Sequence, residues 1–319
     1  MILCCGEALV DMIPSTDSDG DTRYTPHPGG AVFNTANALG RLGADVAFLS
    51  GISTDPFGQN LAATLEASGV CLDLLIRSDL PTALALVHVI DGSASYTFYD
   101  YNSAGRMITI QDAPTLPAAV NTLFFGGISL VSEPAADTFA NLITKWRSGR
   151  TTMLDPNIRP NVVQDQVRYR ERLNQMIELT DILKVSQEDL DWFAPTAPTD
   201  ETAYDILRRG PSVVIVTKAE DGASVYTAEG SFLVPAVSVP VVDTVGAGDT
   251  FNAGLLFELE RSGRLSDDAS QPPSKPTLMT AVQVGAAAAA MCCSRAGAAP
   301  PTIEELTEFR RGLGDVSVG

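Results

Sequence analysis

Short apolar runs rich in β-branched residues recur along this chain, and each is followed by a longer stretch with apolar residues at helical spacing. The runs are Ile2–Cys5, Val46–Leu49, Thr122–Phe125, Thr152–Leu154, Ile182–Val185 and Val213–Val216. The helical stretches cover 31–43, 57–69, 134–148, 165–179, 200–209, 249–262, 278–292 and 303–313, and Thr302 with Glu305 forms a capping box at the last. An apolar run without polar alternation must be covered on both faces, the condition of a parallel strand between two helix layers. The alternation predicts a doubly wound α/β sheet. Two regions break it. Residues 8–28 and 82–110 lack helical period, are rich in β-formers and read as antiparallel strands forming a lid, with a turn at Asp91–Ser95. Residues 265–276 read as a mobile loop. The 319 residues, 45% of them hydrophobic, are expected to form a single domain with the lid segments inserted in its core.

The run Asp243–Gly254 (Asp-Thr-Val-Gly-Ala-Gly-Asp-Thr-Phe-Asn-Ala-Gly) carries the chemistry. It follows Val237, Val239, Val241 and Val242, which read as a strand. It precedes Leu255, Leu256 and Leu259, which read as one face of a helix. The backbone N–H groups of such a first turn have no intrahelical acceptor and suit anionic oxygens. Asp249 is an odd neighbour for a bound phosphate, since like charges repel. It fits as a base that takes a proton from an attacking hydroxyl while the N–H groups hold the transferring group.

A second glycine-rich segment, Gly29-Gly30-Ala31-Val32-Phe33-Asn34, opens the helix at 31–43. The double glycine lets backbone approach a ligand closely, and Asn34 lies in the first turn, where its amide can donate and accept, as a polyol requires. The formal charge of −18 argues against nucleic acid and anionic membranes as partners, and only four lysines are present. Five cysteines, without Cys-x-x-Cys spacing, give neither a disulfide framework nor a zinc pattern and read as buried apolar residues in a reducing compartment. His27 and His88 have no nucleophile paired with them. No apolar run reaches membrane-spanning length, since the Ala-rich stretch 281–291 is short, and no basic leader precedes the first strand. A soluble, cytoplasmic protein is expected.

Together these segments resemble the two signatures of the ribokinase-like (pfkB-type) carbohydrate kinases. The first matches Gly-Gly…Asn…Arg41-Leu42-Gly43, the second Asp-Thr-x-Gly-Ala-Gly-Asp. Gly51…Asp55-Pro56-Phe57-Gly58, Asp155-Pro156-Asn157-x-Arg159 and the Ala-rich helix before Gly297-Ala298 also fit. The resemblance implies a three-layer α/β/α sandwich with a mostly parallel central sheet and a small β-sheet lid, phosphorylating a sugar hydroxyl from Mg-ATP. It implies Asp249 as base and an anion hole from Gly246, Ala247 and Gly248. Asp11, Gly29, Gly30 and Asn34 would hold the sugar. Lys184, Ser186, Thr217, Lys218, Ala219, Gly222 and Ala287 would lie at the nucleotide. Asp189 would reach magnesium through water, and Asp243 would sit beside a monovalent cation such as K⁺. The family's Asn-x-x-Glu reads Ser186-Gln187-Glu188-Asp189 here, and its Thr-x-Gly reads Thr217-Lys218-Ala219. The resemblance also implies a homodimer formed through the lid, which would cover its exposed edge and apolar face.

The segment Phe98–Met107, together with Phe125-Gly126-Gly127-Ile128-Ser129-Leu130, resembles bacterial fructokinases. Phe98 would cover the apolar face of the sugar, and Arg106 would reach into the cleft. Fructose is the expected acceptor. A kinase for 2-keto-3-deoxygluconate, with Arg106 or Arg159 on the carboxylate, is the alternative, ahead of a ribokinase, a nucleoside kinase or a sugar-binding protein without catalysis. No Gly-x-Gly-x-x-Gly follows the first strand, which sets aside a nicotinamide oxidoreductase.

Overall fold

The computed structural model describes residues 1–17, 19–90, 93–265 and 272–316. Their strands are β1 (Ile2–Cys5), β2 (Leu9–Thr16), β3 (Thr22–Gly29), β4 (Val46–Leu49), β5 (Gly51–Ser53), β6 (Ile76–Ser78), β7 (Leu84–Ile90), β8 (Ser93–Tyr99), β9 (Thr122–Gly126), β10 (Thr151–Asp155), β11 (Ile182–Ser186), β12 (Val213–Thr217), β13 (Ala223–Thr227) and β14 (Gly230–Val234). Their α-helices are α1 (Ala31–Arg41), α2 (Pro56–Ala67), α3 (Ala135–Trp146), α4 (Gln166–Glu178), α5 (Gln187–Phe193), α6 (Thr199–Leu207), α7 (Ala247–Arg261), α8 (Lys275–Cys293) and α9 (Ile303–Val316).

The central sheet has the order β14-β13-β12-β11-β10-β9-β1-β4. It is parallel from β4 to β12, and the hairpin β13–β14 extends it antiparallel. Alternate residues of β1 enter different cores, as the two-residue period of a strand requires. Ile2 and Cys4 join residues of α1, α7 and α8, whereas Leu3 and Cys5 join residues of α3, α4 and α6. This is the expected three-layer sandwich. The described cysteines are all free, with Cys4, Cys5 and Cys292 buried.

The lid is a four-stranded sheet, β3-β2-β7-β8. Its hairpins are antiparallel, but the pairing that joins them, β2 with β7, is parallel rather than antiparallel as expected. The expected lid strand does not continue to residue 110. Beyond Tyr99 the chain turns, Asn102 adopts a left-handed φ of 55°, and Ala104 and Ile108 bury themselves against the body. Asp91 and Gly92 of the expected turn, and 266–271 of the expected loop, lie outside the described residues.

Two further expectations are corrected. Val237–Val242 is not a strand: Pro235 and Pro240 lack the N–H that a ladder needs, and Val241 and Val242 are exposed. That segment is instead tied to the end of α8, where the Cys293 carbonyl accepts the N–H groups of Val242 and Asp243. The short helix α5 and the hairpin β13–β14 were not foreseen. The Ala-rich stretch belongs to the 19-residue α8, long and apolar enough by composition to cross a membrane. In the fold α8 packs along α7, with Leu278, Val282 and Ala288 in the core. A Cβ on Gly254 would meet the Gly285 backbone at 2.9 Å, so the two glycines let the helices approach closely.

Candidate active site

In a doubly wound sheet, ligands bind beyond the carboxyl ends of the strands, where the strand order reverses. Here β1 lies between β4 and β9, so the reversal falls at β1. Glu7 follows β1, Gly127 follows β9, Asp155 ends β10, Ser186 ends β11 and Thr217 ends β12. A cleft of about 770 Å³ opens along this edge between the body and the inner face of the lid.

At one end of the cleft stand Asp11, Gly30 and Asn34, with Tyr96 and Phe98 of the lid. At the other stand Ser186, Gln187, Glu188, Asp189, Thr217, Lys218, Ala219 and Asp221. Between the two ends lie Lys184, Gly246, Gly248 and Asp249. The sequence separation of these groups exceeds two hundred residues, and the sheet topology alone assembles them.

Asp249 sits in the first turn of α7, which begins at Gly246 in a left-handed conformation (φ 74°). Its Oδ2 accepts a hydrogen bond from Asn34 Nδ2 at 2.9 Å, and its carbonyl accepts one from Thr35 Oγ1 at 3.2 Å. The helices that carry the two signatures are thereby joined at their N-termini. Burial, with the nearby Asp155 and Glu7 carboxylates, pushes Asp249 up to about 7, against the opposing effects of Asn34 and Lys184. A carboxyl with that affinity for protons can take one from a hydroxyl near neutral pH. Gly246 and Gly248 line the cleft, and the Ala247 N–H between them donates to the Thr244 carbonyl at 3.3 Å, closing the turn. The Ala247 N–H of the expected anion hole is engaged in that turn.

Asp11 projects from β2 into the cleft, and burial pushes it up to about 6. Its carboxylate has no hydrogen-bond partner among the described residues. Gly29 does not line the cleft, but a Cβ there would collide with the Asp11 carboxylate, so the glycine makes room for that side chain. Gly30, at φ 108°, lets the chain pass close to the Glu7 carbonyl and open α1. Phe98 stacks on Tyr96 with ring centroids 6.0 Å apart. Arg159 is exposed on the cleft; the acceptors of its guanidinium are the carbonyls of Asn157 and Ile158, and among the described residues no carboxylate pairs with it.

Arg106 does not enter the cleft. Its Nη1 pairs with Asp100 at 3.1 Å and its Nε donates to the Glu133 carbonyl at 3.2 Å, which turns the side chain into a small neighbouring depression. Ala287 lies within the core on α8, and Gly222 packs against the β14 hairpin, so neither reaches the cleft. Asp243 also stays out of the cleft. Its two oxygens accept the N–H groups of Val245 at 3.0 Å and Gly297 at 2.8 Å, linking the loop before α7 to the loop after α8.

Asp189 forms a reciprocal capping box with Ser186 at the start of α5, and its other oxygen accepts the Ile158 N–H at 2.7 Å. This explains how Ser and Asp serve at the positions of the family's Asn and Glu: the same pair builds a helix N-cap. Each Asp189 oxygen keeps a lone pair, and Glu188 stands exposed beside it on the cleft.

Several residues of the site were not singled out from the sequence. Glu7, buried and pushed upward in pKa by burial, accepts the N–H groups of Ala31 at 2.8 Å and Ser129 at 3.2 Å, fixing the start of α1. Tyr96, Gly127 and Ile128 line the cleft as well. Glu7 had a legible signal, an acid just past the end of an apolar strand. Tyr96 had none beyond its alternation with Phe98.

A helix N-terminus facing a cleft, with a buried carboxylate of raised proton affinity beside it, suits the transfer of an anionic group to a hydroxyl. The pfkB family carbohydrate kinase pattern matches residues 1–305. The chain is 44% identical over 266 residues to a fructokinase of Rhizobium leguminosarum bv. trifolii, covering 83% of this chain and 82% of that protein. It resembles the structure of a fructokinase with bound ATP from Xylella fastidiosa, with a TM-score of 0.88, 27% identity and 98% of each chain covered. A fructokinase from Vibrio cholerae O395 in a fructose-, ADP- and calcium-bound form gives a TM-score of 0.84 at 27% identity, over 97% and 98% of the two chains. The chain belongs to the pfkB family of carbohydrate kinases and has its ribokinase-like fold: it is a sugar kinase.

Proposed function

We propose that the protein transfers the γ-phosphoryl group of ATP to the 6-hydroxyl of fructose. The observation that carries this reading is the buried Asp249 at the start of α7, in one cleft with Asp11, Gly30 and Asn34 on one side and Ser186, Thr217 and Lys218 on the other. Asp11, Gly30 and Asn34 hold sugar hydroxyls, and the stacked Tyr96 and Phe98 cover the apolar face of the ring. Asp249 takes the proton of the attacking hydroxyl. The N–H groups of Gly246 and Gly248 hold the transferring phosphoryl oxygens, so that catalysis is mostly positioning and charge stabilisation. Ser186, Thr217, Lys218 and Ala219 lie along the nucleotide. The 44% identity to a fructokinase supports the choice of sugar.

The cleft carries hard oxygen donors at its nucleotide end, Asp189 and Glu188, which fit a magnesium ion arriving with the polyphosphate and keeping most of its waters. Bound there, magnesium would neutralise phosphate charge. Asp189 would reach its waters through lone pairs not used in the capping box. Asp243 supports a monovalent cation such as K⁺ beside the α7 loop, and equal rates in potassium and in a bulky organic cation would refute that role.

One observation favours a second acceptor. Arg159 presents a guanidinium to the cleft with no carboxylate partner among the described residues, as a sugar acid such as 2-keto-3-deoxygluconate would require. ADP release from Mg-ATP across fructose, ribose, glucose, adenosine and 2-keto-3-deoxygluconate separates the readings. Fructose is expected to give the highest kcat/KM. Preference for the sugar acid would move Arg159 into specificity, and silence with all five would return the chain to sugar binding without catalysis. We place the enzyme in the cytoplasm and assemble it as a homodimer through the lid, whose exposed Ile13, Tyr24 and Tyr99 such pairing would cover.

A further inference from the structure

The hairpin β7–β8 of the lid joins the body at two points, and each is clamped. Where it starts, the Thr82 N–H and hydroxyl donate to the Asp55 carboxylate at 2.8 and 2.7 Å. Where it ends, Asp100 follows Tyr99, and its Oδ1 accepts from Arg106 Nη1 at 3.1 Å. The two-residue period of a strand puts Asp100 in one row with Tyr96 and Phe98, on the face of β8 that looks into the cleft. That row is half-buried, while Thr97 and Tyr99 between its members are exposed. Tyr96 and Phe98 meet Ile128 of the body in a small apolar core of their own, whose buried members are Leu9, Ala83 and Ala85. So few apolar contacts order a sheet weakly, and the clamps at its roots matter accordingly.

Beyond Asp100 the chain belongs to the body. The Ala104 N–H donates to the Pro81 carbonyl at 2.9 Å, and Ala104 and Ile108 are buried. Arg106 is fixed there by three contacts. Its carbonyl accepts the Ala135 N–H at 3.0 Å, its own N–H donates to Ser103 Oγ at 3.3 Å, and its Nε donates to the Glu133 carbonyl at 3.2 Å. Glu133 is in turn paired with the buried Arg172, which also donates to the Leu130 carbonyl at 2.9 Å. The pair of Arg106 with Asp100 thus ties a fixed loop of the body to the end of the lid's inner row. With the two side chains 23% and 27% exposed, such a pair adds little to stability, but it restricts the tilt of β8. We infer that Arg106 is a positioning residue, which by holding Asp100 sets Tyr96 and Phe98 over the acceptor end of the cleft and closes that end to water. This rests on the sugar kinase reading of the cleft. Water admitted there would compete with the sugar for the γ-phosphoryl group. The bond from the water oxygen to phosphorus would form and the bond to the β,γ-bridging oxygen would break. The water's proton would go to Asp249, and ADP would leave with the electron pair.

The test compares wild type with Arg106→Met, Asp100→Asn and the double variant. Arg106→Met is expected to raise KM for fructose about tenfold and to leave KM for ATP within about twofold. The ratio of inorganic phosphate to sugar phosphate formed is expected to rise about fivefold or more, which a merely structural role would not produce. Because Arg106 acts through Asp100, Asp100→Asn is expected to move both readouts in the same direction, and the double variant to stay within about twofold of Arg106→Met. Arg106→Met with fructose KM and product ratio within about twofold of wild type would overturn the inference, as would single effects that multiply in the double variant. If Arg106→Met fails to fold, Asp100→Asn decides by the same two readouts, and wild-type values for both would overturn the inference. Each of these results leaves the kinase reading intact. A wild-type protein that turns over no sugar would instead bring down the kinase reading on which the inference stands.

Discussion

Asp249 shows how far a residue's surroundings can set its chemistry. An ordinary aspartate would be too weak a base, but burial among other carboxylates raises its pKa to about 7. The account predicts that kcat/KM for fructose falls below about pH 7 with unit slope, because the free enzyme must hold Asp249 ionised. A flat profile from pH 5.5 to 8 would contradict it. The same shift carries a cost in stability. The folded pKa lies above the unfolded value of 3.8, so ionising Asp249 destabilises the fold, fully above the folded pKa and not at all below the unfolded one. Asp249→Asn is expected to be more stable than wild type at pH 8, by on the order of 4 kcal/mol, with the difference vanishing near pH 4 in denaturant titrations. Ala219 carries strain of another kind. It holds a left-handed φ of 47° on the rim of the cleft, where the family's usual residue is glycine. Ala219→Gly is expected to raise stability by a few tenths to about 1 kcal/mol, since relief of the backbone strain exceeds the added chain entropy. A lower melting temperature would refute that balance.

At the scale of elements, the site depends on how α1, α5 and α7 begin. Glu7 pins α1, the Ser186–Asp189 box starts α5, and glycines start α7. The capping box makes a prediction that separates structure from chemistry. Asp189→Asn is expected to cost about 1 kcal/mol of stability through the cap. If the carboxylate also reaches magnesium, the variant will need several-fold more magnesium for half-maximal activity, as a titration at fixed ATP would show. An unchanged magnesium requirement would confine Asp189 to the cap. The central strands and the helices starting at α1 and α7 were legible because period and glycine placement are local signals. The false strand at Val237–Val242 shows the limit of such reading: four valines outweigh two prolines in composition, but not in hydrogen bonding. Arg106 was misplaced for a related reason, since its neighbour Asp100 claims the guanidinium and no spacing rule foretells that pair. The lid's parallel joint between β2 and β7 was equally hidden, because it pairs residues about seventy positions apart.

At the scale of the whole molecule, a net charge of −18 surrounds a site that must accept an anionic nucleotide. Lys184, Lys218 and Arg159 are the basic residues among those that line the cleft. Long-range repulsion should therefore weaken nucleotide association at low salt, and screening should relieve it. KM for ATP is expected to fall several-fold as ionic strength rises from about 10 to about 150 mM, while KM for neutral fructose stays constant. A KM for ATP that rises with salt would place the field of the cleft above that of the surface. The sequence displayed the doubly wound sheet and both signatures, but not that the sheet reversal at β1 would gather Glu7, Asp155, Lys184 and Asp249 into one cleft.

The most direct test of the account is the turnover of Asp249→Asn at saturating Mg-ATP and fructose, measured beside its fructose affinity. The account predicts a fall in kcat of about 10³-fold or more with fructose binding nearly unchanged, since a general base is lost and the sugar contacts of Asp11, Gly30 and Asn34 remain. A kcat within about tenfold of wild type would show that the proton leaves by another route and that Asp249 is not the base.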